Sequence, residues 1–227
     1  MNMTNTLQHF VSQSDGVGLA LFVILIAMSV VSWVFIMIKA WQGIKVRRSS
    51  ELFLKAFWDA ASLEQIEQIT TEEPFSLLTR HAIASSRHHA LHGANHLHAA
   101  GSASEFLTRA MRRVIDEETA RLEWGLTALA SIASTAPFVG LFGTVWGVFH
   151  ALTRIGEGGA STLEQIAGPV GEALIMTGFG LAVAIPAVLA YNACARSNRL
   201  ILAKLDAFAH DLFALLTTGS APVAGGL

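Results

Sequence analysis

The sequence predicts an all-α integral membrane protein with three transmembrane helices, two of them extended into a cytoplasmic helical bundle, and three observations predict it. The chain of 227 residues is 52% apolar and only 14% charged, against about 25% charged for a typical soluble domain. Three stretches, Gly16 to Ile38, Trp124 to Thr153 and Ala173 to Ala195, carry no Lys, Arg, Asp or Glu. Each exceeds the roughly 20 apolar residues that cross a bilayer. The stretches between them keep a helical apolar spacing rather than the alternation of strands.

Residues 1–16 are polar apart from Leu7, Phe10 and Val11, which suit a short interfacial helix or a disordered end. Span one is set at 17–38. It has no basic n-region, and the uncharged run Gly16 to Ile38 has 23 residues, so it does not read as a cleavable signal peptide. Trp41 stands at its boundary as an interfacial anchor.

Residues 39–123 hold eleven of the fifteen Lys and Arg, beginning with Lys39, Lys45, Arg47 and Arg48, whereas the first 16 residues hold none. The positive-inside rule therefore puts the N-terminus outside and 39–123 and the C-terminus inside, on the cytoplasmic side. Leu52, Phe53, Ala56, Phe57, Ala60, Leu63 and Ile66 predict a helix over Glu51 to Ile69, and Pro74 breaks the pattern before Phe75 to Ser86 resumes it. Six of the nine histidines fall between His81 and His98. His88, His92 and His96 are spaced to form one metal-facing stripe, but Gly93 interrupts it and no Cys or acid stands among them, so a His-rich loop is the simpler reading and no metal site is assigned.

Ser102 to Glu105 has capping-box spacing, and no Gly or Pro follows until Gly125. This predicts one continuous helix from about Ala103 through span two, set at 124–153. Residues 154–161 are expected to form a turn on the outer side. Ser161-Thr162-Leu163-Glu164 is a second capping box and predicts that the third helix, with its span set at 162–195, starts there with Pro169 inside it; the alternative is a start at Pro169. Ile201, Leu205, Phe208, Leu212 and Leu215 then form a seam for another helix, expected to be the 103–123 segment, within a C-terminal region 196–227 whose last residues are Gly-rich.

Glu172 is the candidate of most interest. Ala173 to Ala195 follows it without a charge, and a lone acid at such depth marks an ion or proton pathway by default. Thr144 is the one hydroxyl between Thr135 and Thr153; by itself it reads as bonded to its own i−4 carbonyl. Thr177 lies about 140° round the helix from Glu172, so the two do not share a narrow face. Gly140, Gly143 and Gly147 are placed for close helix packing in lipid, and Pro137 and Pro186 are potential kinks. A net charge of −2 gives no basis for nucleic-acid binding, the single cysteine allows no internal disulfide, and no nucleophile–base pair, Walker loop or metal motif supports an enzyme or a cofactor. Three spans give no inverted repeat of the stand-alone transporter kind.

Ser134 to Gly147 (STAPFVGLFGTVWG), Gly171 to Leu174 (GEAL) and Ala184 to Asn192 (AIPAVLAYN) resemble the MotA/TolQ/ExbB proton-channel family. Ser134 to Gly140 resembles the ExbB branch more closely, and His150-Ala151 is similar to TolQ members. The resemblance implies a ring of subunits, a pentamer in the ExbB branch, around the transmembrane helices of ExbD, energising TonB for outer-membrane uptake of iron chelates and similar nutrients. It puts the family's glutamate on Glu172 and its two pore threonines on Thr144 and Thr177. The alternatives are a TolQ-like role with TolR and TolA in envelope constriction, and a metal-binding membrane scaffold built on the histidines.

Overall fold

A computed structural model describes residues 16–60, 62, 65–66, 71–92, 103–158 and 163–219. The expected N-terminal patch, the capping residues Ser161 and Thr162, His96, His98 and the tail beyond Gly219 lie outside the described residues. The described residues form five helices: α1 (Gly16–Asp59), α2 (Pro74–His92), α3 (Ala103–Glu123), α4 (Leu126–Gly158) and α5 (Leu163–Thr218). Three stretches, in α1, in α3–α4 and in α5, are long and apolar enough to cross a membrane.

Two helices run on well past the length of a bilayer span. α1 has 44 residues and α5 has 56, about 66 and 84 Å. Here the structure corrects two readings of the sequence. Span one is not separated from a helix beginning at Glu51; α1 continues unbroken to Asp59, and Leu52 is 72% exposed rather than on the inner face, while Gln65 and Ile66 are again helical and Ile69 lies outside the described residues. Conversely, the helix from Ala103 does not continue through span two. It breaks at Gly125, whose φ of 79° lies in the left-handed region open to glycine. The Trp124 N–H still donates to Ala120 O, and Gly125 O accepts from the Leu129 N–H, so Gly125 closes α3 and opens α4. A Cβ there would lie 2.8 Å from the Phe35 ring. A helix-permitting glycine in an apolar sequence is thus used as a stop. By contrast Pro137 sits inside α4 and Pro169 and Pro186 inside α5 without ending them.

The chain divides into two compact units, Met1–Lys39 with Gly125–Ala193, and Ala40–Trp124 with Cys194–Leu227. The second unit is a helical bundle of the later part of α1, α2, α3 and the later part of α5. Its core joins Phe53 and Phe57 of α1, Phe75, Leu78 and Ala82 of α2, Leu107, Met111 and Val114 of α3, and Leu205, Phe208 and Leu212 of α5. The α5 seam therefore shares one core with α1 and α2 as well as the expected α3, and Phe208 stacks edge-on against Phe53, Phe57 and Phe75. Asn198 of α5 donates through Nδ2 to Leu122 O at 2.7 Å and satisfies one of the orphan carbonyls in the last turn of α3.

α2 begins where Pro74 occupies the first helical position, for which its fixed φ is suited. Glu73 caps it, with Oε1 accepting from the Ser76 N–H at 2.6 Å and Oε2 from the Phe75 N–H at 3.4 Å and from the Ser50 hydroxyl of α1 at 2.9 Å. Glu73 is 3% exposed. Burial pushes its carboxyl above the ordinary 4.5; the three hydrogen bonds pull the other way, and Glu118 nearby adds to the upward push. The folded protein holds this proton more tightly than the unfolded chain, so ionised Glu73 costs stability above its raised pKa, and that cost is relieved as the pH falls toward 4.5. Glu73→Gln removes the charge and keeps an oxygen for the Ser76 N–H and an amide N–H for Ser50, at the loss of the long bond from the Phe75 N–H. The variant is therefore expected to gain on the wild type as the pH rises above the ordinary 4.5 through the raised pKa, and to lose that gain as the pH falls back toward 4.5, read as paired thermal melts across the range. An advantage that widens on acidification would reverse the assignment.

Candidate functional site

The site lies between α4 and α5 in the first unit. Small residues bring the two backbones together. A Cβ at Gly140 would lie 2.7 Å from Met176 O, 3.1 Å from Gly180 Cα and 3.2 Å from Thr177 Cα, and one at Gly180 would lie 2.7 Å from Ala136 O. Gly147 faces Ala173, where a Cβ would meet the Ala173 methyl at 2.8 Å. The nearest neighbours of a Cβ at Gly143 would be Met176 side-chain atoms, at 3.0 to 3.3 Å. In lipid, where apolar burial gives helices little reason to associate, such close approach is the usual source of helix–helix contact.

Between these contacts the two threonines meet. Thr144 and Thr177, both half-buried, are hydrogen-bonded hydroxyl to hydroxyl across the helix pair. Thr144 Oγ1 also has Gly140 O and Ala173 O each at 3.2 Å, and Thr177 Oγ1 has Gly140 O at 3.5 Å. The i−4 contact expected of an isolated helical threonine is present, but it is one of three acceptors. Each hydroxyl has a single proton to give and can accept in return. Thr177 can donate to Thr144 while Thr144 donates to Ala173 O, or Thr144 can donate to Thr177 while Thr177 donates to Gly140 O. Two such arrangements let the pair reorient its protons, which is one requirement of a hydroxyl relay; the carbonyls at either end accept hydrogen bonds but pass no proton on.

Glu172 belongs to α5, which starts at Leu163, so Pro169 is internal to the helix and Glu172 stands nine residues in, about 13 Å along the axis. Its carboxylate lies outside the described atoms, but its backbone is adjacent to Ala173, whose carbonyl accepts in the threonine cluster. The sequence set Thr177 apart from Glu172 by angle; the structure gives the reason, since Thr177 turns to α4. Gly180 and Ala173 were visible in the sequence as small residues, but no spacing within one helix says which residue of another they meet.

The histidine stripe falls differently from the loop reading. α2 runs through His92, so His88 and His89 are helical, and their rings stand 6.3 and 5.8 Å from the Phe106 ring of α3. His81 Nδ1 lies 2.9 Å from Leu77 O. Among the described residues no three His, Cys, Asp or Glu side chains gather as a metal site would require.

The model of the MotA/TolQ/ExbB proton channel family matches residues 78–207. Curated relatives include the biopolymer transport protein ExbB of Xanthomonas campestris pv. campestris, 41% identical over 90% of this chain and 83% of its own length. The ExbB of Neisseria meningitidis serogroup B is 40% identical over 87% of this chain and 91% of its own. The Tol-Pal system protein TolQ of Pseudomonas aeruginosa is 31% identical over 85% and 84%. With the match covering more than half of the chain, and with both threonines in the matched region and joined across two spans, this membrane protein belongs to the MotA/TolQ/ExbB proton channel family.

Proposed function

We propose that the chain is the ring-forming subunit of a motor driven by the proton-motive force, which energises TonB-dependent outer-membrane transport of iron chelates and similar nutrients with an ExbD-like partner. The observation that carries this reading is the Thr144–Thr177 hydroxyl pair, held across α4 and α5 with the carbonyl of Ala173, the residue after Glu172, among its acceptors. The higher identity to ExbB relatives than to TolQ favours this branch. Copies of the chain, five by the family resemblance, surround a central helix of the partner in the bacterial inner membrane, with the N-terminus in the periplasm and the bundle and C-terminus in the cytoplasm.

In this reading Glu172 is the proton carrier and Thr144 and Thr177 conduct toward or away from it. A ring of such subunits presents several carboxylates to one lumen, and an acid on the central helix exchanges protons with them in turn. Each transfer changes the charge between stator and central helix, and that change drives rotation or piston motion. The chain acts as a channel subunit and not as an enzyme, and the reading uses no cofactor, metal or nucleic acid.

The test is twofold. In a bacterium lacking its own ExbB, the chain expressed with its ExbD-like partner is expected to restore growth on a chelated iron source, and a tagged copy is expected to co-purify with a TonB-like protein. Rescue of an envelope-constriction defect with capture of TolA- and TolR-like partners instead would move the chain to the TolQ branch. Surface labelling of cysteine at position 12 but not 220 in intact spheroplasts is expected from the orientation; the reverse would invert it.

A further inference from the structure

We infer that Gly180 and Gly147 are positioning residues for proton transfer, setting the α4–α5 spacing at which the Thr144 and Thr177 hydroxyls touch. The inference rests on the proposed role of that pair and adds to it two residues that bracket the pair and carry no side chain of their own.

The contacts between the helices run in order. At one end Gly180 lies against Ala136 and Gly140; in the middle Thr177 and Ala173 meet Thr144; at the other end Ala173 meets Gly147. A Cβ on Gly180 would lie 2.7 Å from Ala136 O, 3.1 Å from Gly140 Cα and 3.3 Å from Gly140 N. All three atoms are backbone, so no rotamer change relieves the clash. To reach ordinary contact at 3.4 Å the helices must part by about 0.7 Å. Threonine is short and stiff at χ1, so it cannot reach across a widened gap, and the hydroxyl separation follows the backbone separation. An O–H···O bond weakens over that same distance.

The same structure distinguishes this role from a general need for small residues. Gly143 has the Met176 side chain as its nearest neighbour and no backbone atom among its three closest; the Met176 Cε at 3.0 Å can swing aside, whereas its Cβ at 3.2 Å is fixed. Gly178 has nothing within 4 Å of an added Cβ. It lies two residues from Gly180 on the same helix and has the same residue type, so it serves as the control.

The experiment measures proton flux into liposomes holding the chain assembled with its ExbD-like partner, using an entrapped pH-sensitive dye, with native gels reporting assembly. Gly178→Ala is expected within about twofold of wild type, and Gly180→Ala about tenfold below it, the scale of one lost hydrogen bond. Thr144→Val keeps a measurable flux because water stands in for the hydroxyl. If Gly180 acts through the pair, adding Gly180→Ala to Thr144→Val costs under about twofold more, since the contact is already gone. Losses that multiply, or a Gly180→Ala flux equal to that of Gly178→Ala, overturn the inference while leaving the pair in the path. A wild-type flux in Thr144→Val overturns both the inference and the proposed role of the pair.

Should Gly180→Ala fail to assemble, Gly147→Ala decides. Its Cβ meets the Ala173 methyl at 2.8 Å, so Gly147→Ala is expected to lose flux and Gly147→Ala with Ala173→Gly to recover it. No loss, or no recovery, overturns the inference.

Discussion

Glu172→Gln is expected to abolish energy-coupled uptake while the oligomer still assembles. Glutamine keeps the size of the side chain and most of its hydrogen bonding and removes only its titration. No other Asp, Glu or His lies between Glu172 and Arg196, so the apolar run that follows Glu172 offers no substitute for a proton carrier; the next acid on α5, Glu164, stands eight residues earlier, at the start of the helix. Water can replace a hydroxyl in a proton path, which is why Thr144→Val and Thr177→Val are expected to reduce function rather than end it, but nothing nearby can replace the carboxyl. The three roles an acid here could play separate cleanly. A carboxyl that only reaches to the membrane surface would make the substitution silent. A structural acid would make the oligomer fall apart on native gels. A proton carrier loses growth on chelated iron with the complex intact, and wild-type growth by the glutamine variant would end the claim.

Phe208→Ala is expected to be the most damaging single change to the bundle. The ring is 4% exposed, and its centroid lies 4.9 Å from that of Phe57, 5.5 Å from Phe75 and 6.5 Å from Phe53, all at steep interplanar angles. Truncation removes one side chain that three helices share. A buried Phe→Ala costs about 3–5 kcal/mol, and lost edge-to-face contacts belong to the same range. For a chain of this size that corresponds to a fall in Tm on the order of 10 °C. Leu52→Ala, on an exposed face of α1, is the matched control and is expected to leave the melt unchanged. Equal melts for the two variants would mean that the aromatic cluster does not hold the bundle together. Neither substitution touches α4, so proton flux through assembled Phe208→Ala complexes is expected to fall only in proportion to the protein lost.

The sequence alone determined the spans, the class and the lone acid, because these depend on local properties of the chain. A run without charge is costly to leave in water and long enough for lipid whatever surrounds it. Capping boxes before Glu105 and Glu164 foretold helices that begin at Ala103 and Leu163. The 4-3 spacing of Leu205, Phe208 and Leu212 required some partner for that seam. What it could not tell was which partner, and the same limit explains each difference. Gly125 is compatible with a helix by composition, and only the Phe35 ring beside it and its left-handed φ show that it ends one. Glu73 beside Pro74 looks like a surface acid until Ser50, 23 residues earlier, is folded over it. Thr144 and Thr177 are ordinary helical hydroxyls, each with a backbone carbonyl at hand, until Gly140 and Gly180 let two backbones touch and bring them into one hydrogen-bonded pair. Periodicity and charge are written along one helix; register between helices is decided by steric contact at positions where a side chain is missing, and a missing side chain leaves no pattern along the sequence.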